Sequence, residues 1–229
     1  MNRRLLMRAL RRTGVMAIMD DSHGSPAEIV RRAARLAEGG IRVFQLRVKK
    51  LADRDFLDLA RRLRKAVPVL FINDRCDIAS LSGADGLHAG IDDLPPPAVR
   101  RLLGSGIALG LSAGTPAELA GTLDARPDYI SLGPVYPTRT KGDAGAALGS
   151  SGFARLARRA RRRGARTVLA VGGVTADNVG VLVRSGADAV AAAGVWWRSA
   201  DPARTAREFV SAVALARGWK ATDKMRGAG

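Results

Sequence analysis

Cysteine is nearly missing from this chain: Cys76 stands alone among 229 residues, so no internal disulfide can form, and the reducing cytoplasm is the expected setting. Histidine is almost as scarce, with two copies, and no Cys/His cluster has a spacing that binds zinc. Aromatic residues make up 4%, and none is interleaved with the basic runs, which leaves nothing to stack on the bases of a single-stranded nucleic acid. No apolar run approaches the ~18 residues that a membrane span requires. Acidic residues are outnumbered, 21 against 38 Lys and Arg, for a formal net charge of +17. Such an excess draws in anions. Its densest runs, Arg61 to Lys65 and Arg158 to Arg163, fall on helical segments whose other faces are apolar, as solvated outer faces do. Small anionic substrates are therefore the expected partners, with neither nucleic acid nor membrane.

What is abundant is small and branched. The chain is 47% hydrophobic, mostly Ala, Val and Leu, the side chains that pack helices onto parallel strands. Short runs of this kind alternate with amphipathic stretches from Val15 onward, the pattern of a parallel sheet wrapped by helices. Eight candidate strands follow: Val15 to Met19, Arg42 to Leu46, Val69 to Ile72, Gly86 to Ala89, Ile107 to Leu111, Tyr129 to Leu132, Thr167 to Val171 and Ala189 to Ala193. Helix starts are marked where a capping residue precedes proline, at Ser25-Pro26, Thr115-Pro116 and Asp201-Pro202. Gly83-Ala84-Asp85, Arg126-Pro127-Asp128 and Gly186-Ala187-Asp188 each stand before an even-numbered strand. That recurrence favours a repeated unit closing on itself, a single-domain α/β (β/α)8 TIM barrel, over an open doubly wound sheet. The expected divisions are a short basic N-terminal arm over residues 1–14, a catalytic barrel over 15–217 and a frayed tail over 218–229. The Trp196-Trp197 pair, if exposed, marks an interface and so a homo-oligomer.

In such a barrel the chemistry sits where strands end. After strand two, Gln45, Arg47 and Lys49 alternate so as to face one place, a donor set suited to an oxygen-rich anion. After strands three and four come Asn73-Asp74 and His88-Ala89-Gly90-Ile91-Asp92-Asp93. Asp74 with Asp92 or Asp93 suits Mg2+, which takes one or two carboxylates and completes its shell with water and phosphate; helix capping is the competing use for each Asp. His88 fits a core histidine or a substrate contact equally well. The long polar loop after strand six, Gly133 to Asp143, reads as a lid carrying Thr138, Thr140 and Lys141. Strands seven and eight end in Gly172-Gly173 and Ala193-Gly194, where backbone amides at helix starts can hold a monophosphate.

Taken in order, QLRVK, INDRCDIA, ADGLHAGIDDLP, GPVYPTRTKGD, AVGGVTADNV and GADAVA resemble the thiamine phosphate synthase family over roughly Val15 to Trp197. The resemblance implies a Mg2+-dependent transferase. It joins hydroxymethylpyrimidine diphosphate to a thiazole phosphate and releases diphosphate, through a dissociative reaction without a protein nucleophile. It implies that Gln45, Arg47, Lys49, Asn73, Ser112 and Lys141 hold the diphosphate, that Asp74 and Asp93 hold Mg2+, and that Thr138, Thr140, Gly173, Ala193 and Gly194 hold the thiazole phosphate. Three residues depart from the family pattern: Ile91 where Gln is usual, Gly114 where His commonly follows the serine, and Gly194 where Ser is usual. The alternatives are a thiazole tautomerase on the same barrel, which would rely on the histidine replaced by Gly114, and a non-catalytic relative that binds thiamine precursors.

Overall fold

The computed structural model describes residues 3–138 and 146–218, with side chains from residue 6 onward. Eight parallel strands close into a barrel in sequence order, and β8 pairs back to β1. The strands are β1 (Val15–Asp20), β2 (Val43–Arg47), β3 (Val69–Asn73), β4 (Gly86–Ala89), β5 (Ala108–Ala113), β6 (Tyr129–Leu132), β7 (Val168–Val171) and β8 (Ala189–Ala192). The helices between them are α2 (Pro26–Glu38), α3 (Asp53–Ala66), α4 (Cys76–Ser82), α5 (Pro96–Leu103), α6 (Pro116–Asp124), α7 (Gly149–Arg162) and α8 (Ala176–Arg184). A short α9 (Gly194–Arg198) and a long α10 (Pro202–Ala216) follow β8. The three marked helix starts behave as their chemistry requires: Ser25, Thr115 and Asp201 are N-caps, each with proline in the first turn.

The recurring Asp before each even-numbered strand has a structural use. Asp85 accepts the Leu70 amide at 2.9 Å and pairs with Arg64 at 3.1 Å. Asp128 accepts the Leu109 amide at 2.9 Å and pairs with Arg100 at 3.3 Å. Asp188 accepts the Val168 amide at 2.7 Å and pairs with Arg161. Each carboxylate thus fastens the start of one strand to its neighbour and to the helix that precedes the pair. The first strand pair lacks this fastening, because Arg42 rather than an acid precedes β2.

Two buried layers result. One lies between strands and helices; the other fills the barrel, where Met16, Val43, Val69, Phe71, Ala108, Tyr129 and Leu169 meet. Into the second layer residues 3–13 insert Leu6, Met7 and Leu10, all buried. The expected basic arm is therefore α1 (Arg3–Thr13), a helix that closes the end of the barrel where strands begin. The paired tryptophans are engaged within the chain. Trp196 is buried against Phe209, and the Trp197 ring stacks with His23 and carries the Arg32 guanidinium at 5.2 Å. The ground for expecting an interface there is removed. Of the tail expected over 218–229, all but Gly218 lies outside the described residues.

Candidate active site

β2 runs one residue further than its apolar pattern suggests and delivers Arg47 to the rim. There Arg47 Nη1 donates to Asp20 Oδ2 at 2.6 Å, across the β1–β2 register that pairs the two residues. Asp20 is fully buried and accepts in addition from the Ser22 amide at 2.8 Å and from the Ser22 hydroxyl. Burial alone would raise its carboxyl, but these donors and the Arg47 charge hold it below the usual carboxylate range. The sequence reading missed Asp20. A carboxylate ending an apolar strand was the available signal, but the reading stopped that strand at Met19.

Beyond β2, Asp21 accepts the amides of Lys49 and Lys50 at 3.0 and 2.7 Å, which shapes the turn that carries Lys49. Lys49 Nζ reaches Asp74 Oδ2 at 2.7 Å. Asp74 follows Asn73 at the end of β3, in the left-handed conformation with φ 65°, and its amide is held by the His88 carbonyl at 2.8 Å. Burial pushes the Asp74 carboxyl up, and the neighbouring Asp93 carboxyl adds to this through a shared hydrogen bond. Asp93 is itself held low: burial opposes this, but its bond to Asp74, the Gly90 amide at 2.6 Å and the Lys49 charge outweigh it. Of the two carboxylates offered by this loop, Asp93 is the one beside Asp74, and Asp92 is exposed.

Deeper in, the residues read as separate contacts form one network. His88 is buried, with Nδ1 2.8 Å from the Tyr129 hydroxyl and Nε2 2.7 Å from Ser112 Oγ. Tyr129 also bonds Gln45, and burial pushes its phenol pKa up. Gln45, His88 and Ser112 thus lie on β2, β4 and β5 around one interior tyrosine that the sequence reading did not single out.

On the far side of the rim, Gly172 and Gly173 adopt φ 95° and 62°. A Cβ on Gly173 would lie 2.6 Å from that of Tyr136, so only glycine lets the two loops approach this closely. Thr175 caps α8 in a capping box with Asn178, whose side-chain amide also holds the Gly173 carbonyl at 2.9 Å. After β8, Ala193 and Gly194 form the start of α9. Thr138 is half-buried and ends the described part of the strand-six loop; Thr140 and Lys141, with the body of the expected lid, lie outside the described residues. Of the departures, Ile91 is 61% exposed. The Gly114 amide bonds Glu118 at 2.7 Å, and a Cβ there would lie 2.9 Å from the Gly133 carbonyl oxygen. A histidine at that position would require the strand-six turn to move.

This distribution of groups can be set beside known proteins. A family model for thiamine monophosphate synthase matches residues 15–194. The thiamine-phosphate synthase of Moorella thermoacetica is 38% identical over 196 residues, covering 83% of this chain and 90% of its own length. That of Laribacter hongkongensis is 40% identical over 175 residues, covering 75% and 81%. In architecture the chain is similar to the thiamine phosphate pyrophosphorylase of Pyrococcus furiosus, with a TM-score of 0.78, 23% identity, and coverage of 90% and 98%. Because the match spans β1 to β8 and takes in both halves of the rim just described, the chain belongs to the thiamine monophosphate synthase family.

Proposed function

We propose that this chain is a thiamine phosphate synthase, a transferase that joins hydroxymethylpyrimidine diphosphate to thiazole phosphate and releases diphosphate. The observation that carries the reading is the convergence of Arg47, Lys49, Asp74 and Asp93 at the ends of three adjacent strands, opposite the paired glycines at β7. In this reading residues 15–217 are the catalytic barrel. Arg47 and Lys49 meet the diphosphate with Asn73, Ser112 and Lys141. Gln45 and His88 line the interior beneath it. Gly173, Ala193 and Gly194 receive the monophosphate on backbone amides, with Thr138 and Thr140 from the strand-six loop.

The donor chemistry fits Mg2+. Two carboxylates close enough to share a hydrogen bond repel one another when both are ionised, and burial raises that cost. Among the described residues no group of three or more His, Cys, Asp or Glu could hold a metal; Asp74 and Asp93 would hold the ion as a two-carboxylate site, with water and substrate oxygens supplying the rest. Bound there, it would neutralise charge on the leaving diphosphate. The chain's own part is to bind and align. As the bond from the pyrimidine methylene to the diphosphate oxygen breaks, Arg47 and Lys49 stabilise the departing anion, and the thiazole nitrogen, fixed through its phosphate, captures the methylene carbon. No side chain need form a bond to substrate. A small phosphorylated substrate pair and the single buried Cys76 suit a cytoplasmic reaction.

Incubation with both phosphorylated precursors and Mg2+ should yield thiamine phosphate and diphosphate in equal amounts. Binding of both precursors without product would favour the non-catalytic relative instead.

A further inference from the structure

Away from the rim, at the end of the barrel closed by α1, arginines that are remote in sequence come together. Two adjoining cavities of about 610 and 270 Å³ share Arg161 and Gly186 in their lining, and between them they are lined by Arg11, Arg158, Arg161, Arg162 and Arg217. Asp188 is the one acidic residue in either lining. Its carboxylate already faces Arg161 and the Val168 amide as part of the repeated strand fastening, so the cleft keeps a clear excess of positive charge.

Two of the five arginines set the floor. Arg161 spans the Ala165 and Arg166 carbonyls at 3.1 and 2.9 Å. Arg217 donates to the Arg11 carbonyl at 2.6 Å and to that of Asp188, joining α10, α1 and the β7–β8 connection. The other three, Arg11, Arg158 and Arg162, are exposed around this floor. The depression is broad and open to solvent, with a volume in the small-molecule range; Val183, Ala187 and Ala216 line it beside the arginines. With Arg161 and Arg217 committed to carbonyls and Asp188, the forks of Arg11, Arg158 and Arg162 around this space are the ones suited to adjacent phosphate groups, each able to take two parallel hydrogen bonds. Arg11 and Arg217 fall outside the residues matched by the family model, whereas Arg158, Arg161 and Arg162 fall inside them.

We propose that this cleft is a second anion site, separate from the substrate rim, that binds a compact oligophosphate. The limited volume favours such a ligand over a nucleic acid, whose backbone needs an extended basic track.

The test is calorimetric titration of the full chain with inorganic tripolyphosphate. The wild type should show two binding events, one at the rim and one at the cleft. Arg158→Ala/Arg162→Ala should weaken one of them by about tenfold or more and leave thiamine phosphate formation unchanged. Arg61→Ala/Arg62→Ala removes as much exposed charge from α3, across the barrel, and should preserve both events. A single event that survives in the Arg158→Ala/Arg162→Ala variant overturns the proposal. Equal weakening by both double variants overturns it too, since net charge alone would then account for binding. Duplex DNA that displaces tripolyphosphate from the cleft, with a steeper loss of affinity on adding salt, would replace the small ligand by a nucleic acid.

Discussion

Arg47 and Asp20 make the residue-scale point most clearly. Removing the arginine leaves a fully buried carboxylate without its charge partner, an outcome that costs about 3–5 kcal/mol, so Arg47→Ala would lose stability and turnover together. Asp20→Asn is the more informative change. It keeps the shape but frees the Arg47 guanidinium, and turnover should fall by at least about tenfold with a smaller change in substrate KM. Its stability effect has a defined pH dependence. The Asp20 carboxyl is lower in the folded chain than in the unfolded one, so its contribution is complete above an unfolded value of about 4 and is lost as pH falls through the lower folded value. The difference in Tm between wild type and Asp20→Asn should accordingly be largest near neutral pH and shrink on acidification. Asp74 carries a different tension, a side chain in the left-handed region. Asp74→Gly should be more stable than Asp74→Ala by about 1 kcal/mol in denaturant titration, and neither should support turnover.

At the scale of elements, strand ends were legible where a polar residue halts an apolar run, and less so where the polar residue belongs to the strand. β4 and β6 have the limits their sequence suggests, whereas β1, β2 and β3 each extend one residue into Asp20, Arg47 and Asn73. Those three residues open the proposed site, where the strands leave the packed interior for the rim. The Gly-Ala-Asp repeat was visible as a pattern, but its use was not, since the amide and arginine that each Asp meets lie on other elements. Asp128→Ala should cost about 3 kcal/mol in reversible unfolding, because it strands the Leu109 amide and leaves Arg100 without that partner. It should leave substrate affinity unchanged in the fraction that remains folded. The segment of α1 reads from sequence as a short basic helix or arm because its arginines dominate the composition; its packing role was hidden, since Leu6, Met7 and Leu10 supply only a narrow stripe that fills the barrel.

At the scale of the molecule, the net charge of +17 acts on both ends of the barrel. Raising ionic strength should increase KM for the two phosphorylated substrates with little change in kcat, since steering weakens while bound contacts remain. The grouping of arginines at the closed end could not be read from the sequence, because Arg11, Arg161 and Arg217 come to line one space only when the barrel has closed. The position of α1 has a practical corollary. A chain attached to a bead or sensor surface through a tether ahead of this helix is held by the end opposite its substrate entrance. Immobilised enzyme should therefore turn over at its free rate, whereas the same attachment crowds the arginine cleft and would blunt any phosphate signal measured there.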